Sequence, residues 1–121
     1  MTPEEIKEYL RNNRIGLLVP TYNNDQTLET VIEEAYDYCD DLLVVDDGST
    51  DKTKDILSRW KGKIHIVSYT PNKGKGNAIK EGFLYAKNIG LRSLISLDSD
   101  GQHKLTDLPI FVDAHKKNPN A

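Results

Sequence analysis

Asp98 and Asp100 stand two residues apart at the end of the apolar run Ile95-Ser96-Leu97, with Gly101 directly after them. In an extended backbone, positions i and i+2 point to the same side, so the two carboxylates can converge on one cation. Hard divalent ions such as Mg²⁺ and Mn²⁺ take oxygen ligands and keep coordination sites open for phosphate. Gly101 allows a sharp turn and a close approach of ligand to backbone. The same residue types also build ordinary surface turns, and Asp-x-Asp-Gly alone does not separate the two readings.

Three more polar clusters could do related chemistry. Asp46-Asp47-Gly48-Ser49-Thr50-Asp51 places adjacent carboxylates that repel each other unless a cation or hydrogen-bond donors satisfy them. An acceptor such as Asp47 suits the N–H groups of a nucleobase or the hydroxyls of a ribose. Thr50 or Asp51 also suits the cap of the helix that follows. In Pro20-Thr21-Tyr22-Asn23-Asn24, Tyr22 fits a core position and a base-stacking position equally well. Asn72-Lys73-Gly74-Lys75-Gly76-Asn77 reads as a loop leading into a helix, and its glycines and lysines at a helix N-terminus suit a phosphate. His65 reads as a strand residue, His115 as a solvated helix residue, and His103 as a lone histidine near the carboxylates.

Strands and helices alternate behind these clusters. Thr2-Pro3-Glu4-Glu5 predicts a helix start with Thr2 as N-cap, Pro3 in the first turn and Glu5 closing a capping box, so that residues 1–13 hold a first helix with Ile6, Tyr9 and Leu10 on its apolar face. Short apolar strands are predicted at 15–19 (ended by Pro20), 42–45, 64–67 and 94–97. Between and after them, helical spacing links Leu28, Val31, Ile32, Ala35 and Cys39; then Thr53, Ile56, Leu57 and Trp60; then Ala78, Ile79, Gly82, Phe83 and Ala86, stopped by Gly90; and finally Leu108, Phe111 and Val112. Solid apolar strands separated by helices imply an α/β fold, a Rossmann-like parallel sheet with helices on both faces. Such sheets bind ligands beyond the carboxyl ends of their strands, where the clusters at 20–24, 46–51 and 98–100 all fall.

With 121 residues the chain is one domain, 1–121. A net charge of −3 with scattered basic residues gives no support for nucleic-acid binding. The single cysteine, Cys39, cannot form an intrachain disulfide, fits a reducing compartment and reads as core. No apolar run is long enough for a membrane span.

Together, Val19-Pro20-Thr21-Tyr22-Asn23-Asn24, Val44-Val45-Asp46-Asp47-Gly48-Ser49-Thr50-Asp51, Asn72-Lys73-Gly74-Lys75-Gly76-Asn77-Ala78 and Leu97-Asp98-Ser99-Asp100-Gly101-Gln102-His103 resemble, in order and spacing, the nucleotide-sugar-binding half of a family-two, GT-A-fold inverting glycosyltransferase. The Asp-Ser-Asp-Gly-Gln-His form is similar to the branch of dolichyl- and polyprenyl-phosphate sugar transferases. The resemblance implies a nucleotide-binding set of Pro20, Tyr22, Asn24, Val45, Asp47, Lys75 and Asp98, with Asp47 contacting the nucleobase. It implies a metal set of Asp98, Asp100 and Gln102 holding Mn²⁺ or Mg²⁺ against the diphosphate. The implied donor is a UDP-, GDP- or dTDP-sugar and the implied acceptor a lipid phosphate, at the cytoplasmic face of a membrane in a full-length protein. Family enzymes carry the general base and acceptor pocket in a C-terminal half, whereas this sequence stops one helix after Asp100. A fragment that binds donor and metal, transfers sugar poorly and self-associates through its uncovered apolar surface is the corresponding expectation.

Two rivals use the same carboxylates. Leu97-Asp98-Ser99-Asp100-Gly101 also resembles the nucleophile motif of haloacid-dehalogenase-type phosphatases, but only residues 101–121 remain to supply the downstream lysine and acidic pair. A phospho-receiver domain would use Asp46 and Asp47, although receivers carry that pair after the first strand. A nucleotide-binding module without catalysis is the third alternative.

Overall fold

The computed structural model describes residues 1–99 and 105–118. The chain runs α1 (Pro3–Asn12), β1 (Ile15–Thr21), α2 (Leu28–Tyr36), β2 (Leu42–Asp47), α3 (Thr53–Arg59), β3 (His65–Tyr69), α4 (Lys75–Asn88), β4 (Ser93–Ser96), a 3₁₀ turn at Leu105–Asp107, and α5 (Leu108–Lys117). Its strands are all parallel, in the order β3-β2-β1-β4. β1 and β2 are buried along their whole length, as their unbroken apolar runs require.

Alternation of side chains divides the core in two. Leu18, Leu43 and Val45 face Ala78 of α4. Leu17, Val19, Leu42 and Val44 face the other way, into a larger core with residues of α1, α2, α3 and α5. Helices therefore cover both faces. Among the described residues, no helix is long and apolar enough to cross a membrane.

The first helix forms as its sequence predicts. Glu5 N–H donates to Thr2 Oγ1 and Thr2 N–H donates to Glu5 Oε1, both at 3.1 Å. Cys39 is buried just beyond α2, and burial pushes its thiol up to about 12, so it is a core residue and not a nucleophile.

Three expectations need correction. Pro20 does not end β1, which continues to Thr21. Leu18 C=O accepts from Leu97 N–H on the β4 side of β1, and the ladder between these strands ends at the Leu18–Ser96 pair. Two residues on, Pro20 faces that same side, where its missing N–H has no ladder bond to make. Phe83 lies outside the buried face of α4. That face is the small-residue stripe Ala78, Gly82 and Ala86, and Phe83 is 53% exposed. A Cβ at Gly82 would come within 2.6 Å of Leu18 Cδ1, so the stripe sets how closely α4 sits on β1. His115 is not simply solvated. It hydrogen-bonds the Tyr9 hydroxyl at 2.6 Å and stacks on Phe111, joining α5 to α1.

Gly48 is the tightest point between two loops. It has φ +72°, and a Cβ there would meet the Pro71 carbonyl carbon at 2.7 Å. Gly48→Ala combines a left-handed backbone with a clash against main chain, and is expected to lower stability by about 2 kcal/mol or more. Urea unfolding checks it; an unchanged midpoint would show that the two loops do not need this approach.

Candidate functional site

β2 carries Asp46 and Asp47 as its last two residues, and the pleat sends them to opposite faces. Asp46 continues the row of Leu42 and Val44, accepting from Ser49 N–H at 3.0 Å and from Ser68 Oγ at 3.4 Å. Asp47 continues the row of Leu43 and Val45. Its Oδ1 accepts the Tyr69 hydroxyl at 2.6 Å and Lys73 N–H at 2.8 Å, and its Oδ2 accepts Gly74 N–H at 2.9 Å. The two carboxylates therefore have separate sets of partners.

Burial alone would raise the pKa of Asp47. The Tyr69 hydroxyl and the N–H groups of Lys73 and Gly74, helped by the charge of Lys73, outweigh it and hold the carboxyl below the ordinary carboxylate value. Burial and the bond to Asp47 raise the Tyr69 phenol. Tyr69 therefore stays a donor, and Asp47 an ionised acceptor, at neutral pH.

The loop after β1 is stitched to both neighbours. Toward the β2 loop, Asn23 N–H donates to Ser49 Oγ at 2.9 Å and Thr50 N–H donates to Asn23 Oδ1 at 2.8 Å. Asp25 N–H donates to Asp51 Oδ2 and Lys52 N–H returns to Asp25 Oδ2, at 3.1 and 3.2 Å. Asp51 also accepts Thr53 N–H at 2.9 Å, but the N-cap position of α3 is Lys52, which makes no side-chain cap bond, so neither Thr50 nor Asp51 is the cap expected from the sequence. Burial works against this carboxylate too, and the bonds from Thr53 and Asp25 lower its pKa regardless. Toward the β4 end, Asn24 Nδ2 donates to Ser99 Oγ at 2.7 Å and Thr27 Oγ1 to Ser99 O at 2.5 Å.

Between these loops lies a cavity of about 190 Å³ lined by Pro20, Thr21, Tyr22, Asn24, Asp47, Lys75, Ala78, Asp98 and Ser99. Six residues singled out from the sequence are thus brought together: Pro20, Tyr22, Asn24, Asp47, Lys75 and Asp98. Tyr22 is 44% exposed and is not core. Val45 is fully buried against Leu18, Leu43 and Ala78 and supports the floor without lining the cavity. Asp100, Gln102 and His103 lie outside the described residues. Lys75 Nζ sits 2.8 Å from Asp98 Oδ1 at the exposed mouth.

A divalent ion suits the chemistry of Asp98: a hard oxygen donor, solvent-accessible, and already matched to a positive charge in the form of Lys75. Among the described residues no three His, Cys, Asp or Glu side chains cluster as a metal site, so Asp98 is the described member of any such set.

Sequence reasoning missed Tyr69, Asn23, Thr27 and Ser99. Tyr69 lies beyond the strand predicted at 64–67, which in fact runs to it, and Thr27 was legible only as a polar residue ahead of a helix. Thr21 was passed over as well; its buried hydroxyl has no partner among the described residues, although Thr21 lines the cavity.

The sequence profile of Glycosyl transferase family 2 matches residues 17–121. Curated relatives include dolichyl-phosphate beta-glucosyltransferase of Homo sapiens, 26% identical over 111 residues that cover 78% of this chain and 33% of the relative. Undecaprenyl-phosphate mannosyltransferase of Micrococcus luteus is 31% identical over 106 residues, covering 84% of this chain and 44% of that protein. The chain therefore spans less than half the length of these relatives. Among solved structures, glucosyl-3-phosphoglycerate synthase from Mycobacterium tuberculosis in complex with Mn²⁺ and uridine-diphosphate-glucose superposes with a TM-score of 0.59 at 25% identity, covering 83% of this chain and 38% of that one.

The lowered pKa of Asp47 makes its contribution to stability pH-dependent. A depressed carboxyl stabilises above its unfolded pKa, and that stabilisation is lost as pH falls through the folded value. Asp47→Asn is expected to cost about 2–3 kcal/mol at pH 7. The gap between the two proteins should be constant above about pH 5 and should close below about pH 4. Urea unfolding across pH 3–7 checks this, and a gap that does not change with pH would mean the charge on Asp47 contributes nothing.

Proposed function

The chain belongs to glycosyl transferase family 2, and from that premise we propose that it binds a nucleotide-diphospho-sugar and a divalent metal for transfer of the sugar, with inversion, to a lipid-phosphate acceptor. The observation that carries this reading is the convergence of Pro20, Tyr22, Asn24, Asp47, Lys75 and Asp98 on one cavity at the carboxyl ends of parallel strands. Asp47 is the acceptor for a base N–H, and the exposed Tyr22 ring is the stacking surface beside it. Lys75 opens α4, so its ammonium and the first free N–H groups of that helix face a diphosphate together. Asp98, with Asp100 and Gln102 as the resemblance assigns them, would hold Mn²⁺ or Mg²⁺.

When bound, the metal supplies positive charge that neutralises the nucleoside diphosphate as it leaves. Lys75 adds a second charge from the protein side, 2.8 Å from Asp98 at the mouth. The acceptor assignment follows the names of the relatives, which act on dolichyl and undecaprenyl phosphates. An inverting transfer also needs a general base. In this reading the cavity carboxylates face the donor and its metal, Asp47 the base and Asp98 the cation, which leaves neither as that general base. Sugar transfer by this chain alone is therefore expected to be weak or undetectable, with donor and metal binding retained.

Thermal unfolding against UDP, GDP and dTDP, each with and without Mn²⁺, tests the donor reading. A ligand at about 100 times its Kd stabilises by about 2.7 kcal/mol. One nucleotide should raise Tm in a metal-dependent way, and Asp98→Ala should abolish the metal-dependent part. No shift with any nucleotide would sink the reading.

A further inference from the structure

Thr27 holds the N-cap position of α2, where a threonine hydroxyl ordinarily accepts an N–H from the first helical turn. Here its backbone is helical instead, φ −115° and ψ −20°, and no side-chain cap bond forms. The hydroxyl donates to the Ser99 carbonyl oxygen at 2.5 Å, across 72 residues of sequence. A good capping residue that does not cap its own helix marks a place where local preference yields to another requirement.

Ser99 is the residue held. It is only 3% exposed, whereas its neighbour Asp98 is exposed. Asn24 reaches the same residue from the same loop, donating to Ser99 Oγ at 2.7 Å. The chain leaves the sheet here: Leu97 N–H still bonds Leu18 O at 2.8 Å, and the next fixed points among the described residues are the two bonds to Ser99 and the Lys75–Asp98 ion pair. An exposed ion pair is worth little and is weakly directional. Among the described residues, the direction in which the Asp98 carboxylate leaves the backbone is therefore governed mainly by the hold on Ser99.

We propose that Thr27 is a positioning residue that acts through Ser99 to set the Asp98 carboxylate, so that the 22–27 loop couples occupancy of the base end of the cavity to cation affinity at its mouth. This rests on the donor-and-metal reading of the same cavity. Tyr22 and Asn24 line one end and Asp98 the other, and Ser99 lies against both. Tyr22 and Asn24 share that loop with Thr27, so a nucleotide against them and a cation at Asp98 bear on the same hold on Ser99 from opposite sides. Linkage then requires each ligand to raise the affinity for the other by the same factor.

The test uses Mn²⁺ titration followed by the electron paramagnetic resonance of the free ion, with and without UDP, and UDP titration in the presence of chelator. Thr27→Val keeps the shape and removes the donor; Thr27→Ser keeps the donor. Thr27→Val is expected to weaken Mn²⁺ binding about fivefold to tenfold. It should also shrink the factor by which UDP raises Mn²⁺ affinity, weaken UDP binding in chelator by much less than it weakens Mn²⁺ binding, and be rescued by Thr27→Ser. Unchanged Mn²⁺ affinity in Thr27→Val, an equal loss in Thr27→Ser, or a parallel loss of metal-free UDP binding would each overturn the positioning role. If Thr27→Val does not fold, Ser99→Ala tests the other bond of the same clamp, with a smaller loss in the same direction expected and unchanged Mn²⁺ affinity overturning the proposal. Wild-type protein that binds neither UDP nor Mn²⁺ would instead overturn the donor reading, and the positioning role with it.

Discussion

Burying the Asp47 carboxylate at the end of β2 removes it from water, and an ionised carboxylate tolerates that only when donors replace its hydration. The need for those donors shapes much of the surrounding site. Two of them are the main-chain N–H groups of Lys73 and Gly74, so the loop after β3 must come back over β2. It can do so because residue 48 is a glycine, whose missing side chain and positive φ leave room for Pro71 and Asn72. The pinned Gly74 is the N-cap of α4, and the helix opens at Lys75 with its ammonium at the mouth of the cavity beside Asp98. A single buried charge is thus bonded to the residue from which that helix starts.

The neighbouring charge shows why the arrangement needs a strand and not a loop. Adjacent aspartates in an irregular segment would repel, whereas the pleat separates Asp46 and Asp47 onto opposite faces and gives each its own donors. Asp46 ties down the turn that follows β2, and Asp47 ties down the turn that precedes α4. This division explains how a short segment can be both densely acidic and well buried. It also shows that Asp46 serves the fold while Asp47 faces the cavity.

Much of this was legible in the chain because parallel sheets announce themselves in solid apolar runs and place their polar residues at one edge. The capping box at Thr2 and Glu5 and the clustering of Tyr22, Asp47, Lys75 and Asp98 all follow from local pattern plus that edge rule. What stayed hidden depends on tertiary placement. Pro20 continues β1 only because β4 stops short on the side it faces. Phe83 is exposed because glycine and alanine, not the large residues, form the contact face of α4. Tyr69 and Thr27 bond to partners 22 and 72 residues away, and no spacing rule connects such pairs.

The same bonds bear on what the cavity will accept. A carboxylate offers about four lone-pair sites, and Asp47 has three of them filled by Tyr69, Lys73 and Gly74. The one that remains can take a hydrogen-bond donor or a cation, so a neutral base at that end meets it with an N–H or O–H. Uracil, thymine and guanine offer a ring N–H on the pairing edge, and adenine and cytosine offer an exocyclic amino N–H, so Asp47 sets the polarity of the contact and not the identity of the base. At the other end Lys75 is paired with Asp98, and an acidic ligand arriving there would meet that carboxylate unless a cation intervened. Donor at one end, anion at the other, and a cation between that anion and Asp98 describe a nucleoside diphosphate with its metal more closely than any simple phosphate. The constraint originates in how Asp47 is satisfied before any ligand is present, which ties the choice of ligand to the same interaction that sets the fold of the site.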